Sequence, residues 1–530
     1  MLKRFVAALR WLASRKLACI IAFTLAPLAV RLALLPWIGI PKPAIQDEFS
    51  YLLAGDTFAL GRLTNPPHPH WVFFESVHII QQPTYMSKYP PLTGMILAFG
   101  ERFLGHPWIG VLLSMSLLCG LLAWALQGWL TPLWAFLGTW LAVLKIGMLS
   151  YWGESYWGGA GAAIGGTLLI GSLPRLTRRP KFSTGLLAAL GIALLALSRP
   201  FEGLLLTILC LGYLCWHFLR YTTGRPTLVK TFARSMVAPI ALVMITAGGW
   251  MLFYNYRVTG DAFLLPYVAH ERQYATDSAL WWDKPRPVPT YRHEALKMEW
   301  VDWDVPRKRW QREHFLYAHE KSFESIVGFY WGFPLLLLIL AALPTLATSR
   351  RTKPAVWLGV LFAAGLCSEL ELIPHYAAPA TALAYIASAG ALRALYYRYR
   401  AGRGWATVAL AVVVLTALFT IDLLKPEHRF LYDKQAFIAR RDGVLHKLTQ
   451  APGQQLVFVD YGKGHDINQE WVYNRADIDR SRIVWAREMG PARDQELIDY
   501  YPDRQVWKLV DHGDAGVDLS ELPHSQRAKR

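Results

Sequence analysis

QDEF (46–49) and SKYPP (87–91) mark the two ends of a polar stretch, residues 41–91, that interrupts an otherwise apolar part of the chain. The first motif holds two adjacent carboxylates, and the second holds a lysine followed by tyrosine and two prolines. Prolines fix the backbone and end any helix that precedes them, so Lys88 is presented from a stiff corner. An apolar run of spanning length precedes the stretch, which therefore emerges directly from a membrane.

Apolar segments recur along most of the chain. Of the 530 residues, 54% are hydrophobic and the mean hydropathy is +0.23, which is not the composition of an ordinary soluble protein. The 23 Trp and 24 Tyr fit many bilayer interfaces, where amphipathic rings anchor helix ends. The sequence predicts an all-α polytopic membrane protein. The predicted spans are 17–37, 107–126, 131–149, 159–173, 184–198, 201–218, 235–253, 326–347, 355–373, 375–391 and 405–423.

The net charge of +17 reflects membrane topology. Twenty of the 55 basic residues lie in five short segments without Asp or Glu, and the remainder of the chain carries a net charge of −3. Such clusters obey the positive-inside rule and do not form a nucleic-acid footprint, so no nucleic-acid partner is predicted. The five segments are 3–16, 175–181, 220–234, 350–353 and 393–403.

The run Leu92 to Phe103 is apolar but only about a dozen residues long. If it crossed the membrane, the last four basic segments would lie on the side opposite the basic N-terminus. We therefore predict a juxtamembrane or re-entrant helix there, eleven spans, a cytoplasmic N-terminus and an extracytoplasmic C-terminus. The large external segments are then a first loop (38–106), a second loop (254–325) and the C-terminal segment (424–530).

Two domains are predicted. Residues 1–423 form the transmembrane domain, and residues 424–530 form a small extracytoplasmic α/β domain. A helix over 435–448 and strands at 456–459, 483–485 and 506–509 indicate the α/β class. We expect this domain to pack on the second loop, which is rich in Trp and Arg.

The five cysteines fall in or beside apolar runs without a Cys-x-x-Cys pair, which indicates neither a zinc site nor a disulfide framework.

The predicted topology places on one membrane face the polar residues whose burial in a membrane costs free energy. Ionisable groups at membrane depth are functional candidates. Asp47-Glu48 could supply a general base, but adjacent acids are also common as solvated charges or at helix N-termini. Lys88 suits a phosphate leaving group, although a lysine that snorkels to the interface has the same sequence signature. The full set is Asp47, Glu48, Lys88, Glu154, Arg199, Glu202, Asn255, Glu369, Glu371 and His375.

Three further motifs each allow two interpretations. Glu154, in YWGESYWGG (151–159), is either part of a sugar-contacting wall or part of an interfacial aromatic belt. Arg199, in SRPFEG (198–203), either binds phosphate or forms a structural pair with Glu202. His375, in IPHYAAP (373–379), either touches a phosphate or sugar or caps a kink.

Taken in order over residues 1–400, these motifs resemble those of the GT-C superfamily of polyprenyl-phosphate-sugar-dependent glycosyltransferases. The resemblance is nearest to the protein O-mannosyltransferase and aminoarabinose-transferase branches. Asp47-Glu48 is similar to the acidic pair of the first external loop, and Lys88–Pro91 to the element that closes it. Glu154 lies where the family places an acid, usually Asp. SRPFEG (198–203) resembles a Lys-Gly-Pro turn, and PHYAAP (374–379) an Arg-Tyr-x-x-Pro element.

The resemblance implies a bacterial inner-membrane enzyme that transfers a sugar, with inversion, from a polyprenyl phosphate to an acceptor hydroxyl. Membrane lipid and the lipid-linked donor are its expected partners, and the acceptor is a protein, lipid or glycan. The residue roles implied are catalysis by Asp47 and Glu48, with Asp47 as base; phosphate binding by Lys88, Arg199 and His375; and substrate binding by Tyr89, Glu154 and Tyr376.

No cofactor is predicted to be required, and a divalent metal stays possible. His68, His70 and His78 lie in the first loop near Glu75, but their spacing matches no closed zinc pattern.

A transporter or flippase of lipid-linked sugars is the alternative function, and it predicts paired repeats around a midplane site; no repeat is visible. A third interpretation makes the C-terminal domain a docking module and the membrane part its anchor.

Overall fold

The computed structural model describes residues 2–222, 226–399, 404–424, 434–462 and 464–522. Most of these residues are helical, as predicted. The α-helices are Leu2–Ser14, Lys16–Ala33, Leu35–Ile38, Gln46–Ala59, Pro91–Leu104, Pro107–Trp129, Pro132–Ala142, Ala160–Arg178, Phe182–Ser198, Pro200–Thr222, Pro226–Phe232, Ala238–Thr259, Pro266–Tyr274, Glu294–Lys297, Asp304–Glu313, Phe315–Tyr330, Gly332–Thr348, Lys353–Leu366, Thr381–Arg398, Gly404–Leu424, Gln435–Gln450 and Pro491–Tyr500. Shorter 3₁₀ or π-helical turns cover Trp71–Phe74, Val143–Gly147, Ala233–Val237, Met298–Trp303, Pro374–Ala380 and Gly513–Ala515.

Each of the eleven predicted spans lies mainly on helix. Within the described ranges, five helices are long and apolar enough to cross a membrane, or six if Phe315–Tyr330 and Gly332–Thr348, bent by 97° at their junction, form one span. Three shorter apolar helices also lie on predicted spans: Pro132–Gly147, Phe182–Ser198 and Lys353–Leu366. The structure thus confirms a helical, apolar core, while the count of eleven stays a prediction.

The helix Ala160–Arg178 is buried along nearly its whole length, although its composition is less apolar than that of the long spans. Small residues at helix interfaces let backbones approach closely. A Cβ added to Gly165 would lie 2.9 Å from the Gly191 carbonyl oxygen, and one added to Gly166 would lie 1.8 Å from that of Pro379. Gly165 therefore allows close packing on the helix Phe182–Ser198, and Gly166 allows close packing on the Pro374–Ala380 turn, which carries His375.

The apolar run near the end of the first loop forms the helix Pro91–Leu104. Its 14 residues extend only about 21 Å, less than the ~30 Å hydrocarbon core of a bilayer. It packs against Gln46–Ala59, where Cβ atoms added to Gly55 and Gly94 would clash with Leu97 and Ala54. The close pairing of these two helices brings the two ends of the first loop together.

The C-terminal segment forms the predicted α/β unit. Its sheet has the order Ile483–Arg487, Gln455–Tyr461, Gln505–Asp511 and Val517–Glu521, with the first three strands parallel and the last antiparallel. The strands predicted at 456–459, 483–485 and 506–509 are confirmed. The short edge strand Val517–Glu521, half exposed and interrupted by polar residues, was not predicted.

The C-terminal sheet packs on the first loop. One hydrophobic cluster joins its residues Leu456, Phe458 and Val484 to Phe73 and Phe74. The expectation that this domain packs on the second loop is therefore corrected: its hydrophobic partner is the first loop, which folds its own two-stranded hairpin, Ile79–Ile80 with Met86–Ser87, beneath the sheet.

Polar contacts fix the same junction. The buried Asp56 carboxylate accepts hydrogen bonds from the Arg475 guanidinium and from the Ala476 backbone N–H, the latter at 2.6 Å. Arg475 also pairs with Glu101 at 2.5 Å. The C-terminal domain is thus tied to both long helices of the first loop, Gln46–Ala59 and Pro91–Leu104.

Asp56→Ala should loosen this docking by about 1–3 kcal/mol, because it leaves the buried Ala476 N–H without an acceptor. Hydrogen–deuterium exchange should rise across the strand Gln455–Tyr461. Arg480→Ala, at an 86% exposed side chain, is the control and should change nothing. Unaltered exchange in Asp56→Ala would show that the ion pair contributes nothing to docking.

Candidate active site

Glu48 occupies the first turn of Gln46–Ala59 and is fully buried. Its carboxylate accepts hydrogen bonds from the backbone N–H groups of Ala44 (2.8 Å), Ile45 (3.3 Å) and Tyr156 (3.0 Å). Burial raises the pKa of Glu48 to about 7, although the backbone hydrogen bonds act to lower it. The predicted catalytic pair is therefore revised: Glu48 anchors the helix start and does not reach open space.

Asp47, by contrast, keeps 27% of its side chain exposed. The Tyr89 hydroxyl donates a hydrogen bond to its Oδ1, and the His78 Nε2 lies 3.8 Å from the same atom. Burial raises the pKa of Asp47, while the Tyr89 hydrogen bond and the positive charges of Lys88 and Arg199 act to lower it. Asp47 is thus an accessible carboxylate with an elevated pKa, the property expected of a general base.

Lys88 lies within a ring of second-loop side chains. It is 3% exposed, and its Nζ is 3.3 Å from the Glu271 Oε1. The same nitrogen lies 4.6 Å from the ring centre of Tyr267 and 5.3 Å from that of Trp300. Aromatic faces attract a cation, so they help to hold the ammonium away from water.

His78 forms the backbone turn that lies between Asp47 and Lys88. It has a positive φ of 65°, which is uncommon outside glycine. Its carbonyl accepts hydrogen bonds from the Lys88 N–H (3.1 Å) and the Ser50 hydroxyl (2.7 Å). The His78 ring packs between Tyr89 and Trp300. The backbone at His78 therefore fixes Lys88 relative to the helix that carries Asp47.

Arg199 and the Pro374–Ala380 turn form an adjoining cluster. The Arg199 guanidinium pairs with Glu202 at 2.7 Å and lies 4.3 Å from the ring centre of Tyr376. The predicted Arg199–Glu202 pair is present. His375 is buried, shares a 3.0 Å hydrogen bond with the Tyr151 hydroxyl and packs on Trp157. The positive charge of Arg199 acts to lower the pKa of Asp47, so the two clusters influence each other electrostatically.

Glu154 has a partner that the sequence did not indicate. Its carboxylate makes a two-pronged ion pair with Arg31, at 2.5 and 3.0 Å, and Arg31 is 1% exposed. Arg31 also donates to the Gly39 carbonyl and lies 4.6 Å from the ring centre of Trp108. The pair joins the first span to the aromatic segment 151–159, and the substrate role of Glu154 stays a prediction.

The histidines of the first loop do not gather. His68 contacts Asp479 at 3.0 Å and the Tyr501 hydroxyl at 3.1 Å, in the C-terminal interface, whereas His78 lies beside Asp47. Across the described ranges, no group of three or more His, Cys, Asp or Glu side chains is placed to hold a metal ion. The residues suggested for a divalent ion therefore do not form a ligand set.

The whole structure is similar to the crystal structure of ArnT from Cupriavidus metallidurans in the apo state, with a TM-score of 0.50. The two sequences are 13% identical, and the match covers 93% of this chain and 92% of that one. The chain therefore has the same overall fold as that structure.

More distant similarity extends to an archaeal oligosaccharyltransferase from Archaeoglobus fulgidus. Its form tethered with an acceptor peptide gives a TM-score of 0.47 at 10% identity, and its form with an inhibitory peptide and a dolichol-phosphate gives 0.42 at 12%. Each match covers 94% of this chain, and 69% and 70% of the respective archaeal chain. No protein-family model and no curated protein sequence matches the chain.

The sequence indicated one half of the candidate site and missed the other. Asp47, Lys88 and Tyr89 come together as their motifs suggested, whereas the second loop adds Tyr267, His270, Glu271 and Trp300. The only sequence signal for these four residues was the Trp- and Arg-rich character of the second loop.

Glu48→Gln should lower the unfolding temperature of the purified protein, whereas Asp47→Asn should not. The amide nitrogen that replaces one carboxylate oxygen faces a backbone N–H, and a buried donor left without a partner costs about 1–3 kcal/mol. Thermal unfolding followed by tryptophan fluorescence separates the two cases. Equal unfolding temperatures would contradict the anchoring role of Glu48.

Proposed function

We propose that this protein is a membrane glycosyltransferase that moves a sugar from a polyprenyl-phosphate donor to an acceptor hydroxyl, with inversion at the anomeric carbon. One observation carries the proposal: the partly exposed Asp47 carboxylate accepts a hydrogen bond from the Tyr89 hydroxyl, and the Tyr89 ring centre lies 5.5 Å from the ammonium of the buried Lys88. The positive charge of Arg199 also acts on Asp47. The proposal is also supported by the fold shared with ArnT, which is an aminoarabinose transferase of the GT-C type.

In the proposed reaction, Asp47 takes the proton of the acceptor hydroxyl. The hydroxyl oxygen forms a bond to the anomeric carbon, and the bond from that carbon to the phosphate oxygen breaks with its electron pair on the phosphate. The Tyr89 hydroxyl, which bonds to Asp47, orients the carboxylate. Its hydrogen bond stabilises the charged form of the base.

Lys88 and Arg199 stabilise the negative charge that grows on the departing phosphate. Cations placed in advance where charge develops, in a site shielded from water, supply a large part of catalysis. Both are already paired, Lys88 with Glu271 and Arg199 with Glu202. Those carboxylates therefore hold the cations in position before the donor binds. His375 and Tyr376 flank Arg199 and complete the proposed phosphate site.

The surrounding membrane helices hold the prenyl chain of the donor. The helix Ala238–Thr259 presents only four buried residues along 22 positions, so most of its apolar surface is open to lipid. We place the protein in a bacterial inner membrane, with its N-terminus in the cytoplasm and the first loop, the second loop and the C-terminal domain outside. The basic segments of the sequence support this orientation.

Labelled polyprenyl-phosphate sugars, incubated with the purified protein in liposomes with and without membrane extract, test the function. Transfer of label to an acceptor, with release of polyprenyl phosphate, is the expected result. Movement of intact labelled donor across the bilayer without release would instead identify a flippase and overturn the proposal.

Asp47→Asn should abolish transfer while the protein folds normally, because an amide cannot accept the acceptor proton. In the native enzyme, kcat/KM should fall on acidification with a midpoint above the ordinary aspartate value of about 3.9, since a base with raised pKa is protonated at higher pH. A pH–rate profile measures this midpoint. Substantial activity in Asp47→Asn would remove it from the role of base.

Lys88→Ala should lower the transfer rate about 10²-fold, because one preplaced cation for the leaving phosphate is lost. Glu271→Gln, measured alongside, reports the effect of breaking the pair while keeping the cation. Lys297→Ala is the control, since Lys297 is an exposed lysine of the second loop that pairs with Glu294. Unchanged kinetics in Lys88→Ala would exclude its phosphate role.

A further inference from the structure

A cavity of about 390 Å³ opens between the first and second loops. Trp71, Glu75 and Gln82 line it from the first loop, and Gln273, Tyr274, Thr290, Tyr291, Arg292 and Leu296 from the second. Its size falls in the range of small-molecule sites, roughly 300–1,000 Å³. No step of the proposed transfer uses these residues.

One oxygen of a buried carboxylate lacks a partner at this cavity. Glu75 is 1% exposed, and its Oε1 accepts a 2.9 Å hydrogen bond from the Tyr274 hydroxyl. Among the residues that the structure describes, its Oε2 has no hydrogen-bond partner. The His293 Nε2 lies 3.4 Å away but donates its hydrogen to the Val72 carbonyl at 2.7 Å. Leaving a buried acceptor unmet costs free energy, so the atom is suited to a donor supplied by a ligand.

The remaining walls fit a sugar better than a lipid or an anion. The Trp71 ring, with the Arg292 guanidinium 4.8 Å from its centre, and the Tyr291 ring offer flat apolar faces beside hydrogen-bonding groups. Gln82, Gln273 and Thr290 add neutral donors and acceptors. The Glu75 carboxylate offsets the Arg292 charge, so the cavity does not select a charged ligand.

The C-terminal domain holds this wall in place. The Arg487 guanidinium, 3% exposed, donates a 2.5 Å hydrogen bond to the Glu75 carbonyl and pairs with Glu470 at 2.9 Å. Glu470 in turn accepts a hydrogen bond from the Ser76 hydroxyl at 3.2 Å. The backbone that presents the Glu75 carboxylate is therefore locked from behind by the sheet.

The cavity lies near Asp47 but is separated from it. The Tyr274 ring is 4.9 Å from the His270 ring, which is 6.2 Å from the His78 ring. His78 is the residue that lies 3.8 Å from the Asp47 carboxylate. The rings of Tyr274, His270 and His78 thus separate the cavity from Asp47.

We propose that this cavity is a subsite for an uncharged sugar residue of the acceptor, distinct from the residue whose hydroxyl reacts at Asp47. The inference rests on the proposed function and names its acceptor class as a glycan. Sugar hydroxyls donate to the free Glu75 oxygen, and one face of the sugar ring stacks on Trp71.

Binding, measured without any donor, tests the subsite. Purified full-length protein is applied to an array of neutral bacterial-type oligosaccharides, and the affinity for the best binder is then measured in solution. Trp71→Ala and Glu75→Gln should weaken binding about tenfold or more, as loss of a central anchor does. Gln273→Ala, at an exposed position, should weaken it less and carries little risk to folding.

Two controls separate this inference from the transfer reaction. Trp282→Ala removes an exposed tryptophan of the same loop that lies outside the cavity and should bind as the native protein does. Asp47→Asn should bind the glycan normally while lacking transfer. Three results would each overturn the subsite. The first is native affinity in all three variants, Trp71→Ala, Glu75→Gln and Gln273→Ala. The others are failure of the native protein to bind any neutral oligosaccharide, and Trp71-dependent capture of peptides instead of glycans.

Discussion

The buried carboxylate of Glu48 is the constraint on which the candidate site depends. Through three backbone hydrogen bonds it joins the residues before the helix Gln46–Ala59 to the aromatic segment around Tyr156. The neighbouring Asp47 is consequently presented from a fixed helix start. Glu48 anchors the backbone, whereas Asp47 faces open space. This difference explains why two carboxylates are adjacent here while only Asp47 is proposed to transfer a proton.

The two cations of the site are held by a similar arrangement. Lys88 and Arg199 are each paired with a glutamate and each covered by aromatic rings. A buried charge without a partner is very costly, and a buried pair is tolerable only when further contacts compensate its desolvation. Glu271, Glu202 and the Tyr267 and Tyr376 rings supply these contacts. The structure can therefore keep positive charge near a membrane surface with no bound phosphate.

The C-terminal domain belongs to the same assembly and is more than an appendage of the membrane part. Its sheet covers the first-loop hairpin through hydrophobic packing. Arg475 and Arg487 bind the first loop at two separate points, Arg475 on its helices and Arg487 at the Glu75 carbonyl. Both loops and this domain meet around Glu75, Ser76 and His78. The geometry proposed for catalysis and that proposed for glycan binding consequently rest on one packed lobe.

The sequence by itself determined the helical membrane class and the α/β character of the C-terminal domain, and it indicated Asp47, Lys88 and Tyr89 as candidate site residues. These features follow from local patterns: apolar run length, strand-like runs and a polar motif held by prolines. Only the tertiary structure decided that Glu48 is an anchor, that Glu154 pairs with Arg31, and that the second loop surrounds Lys88. The reason is physical, since each of these depends on a partner more than one hundred residues away, which no local periodicity reports.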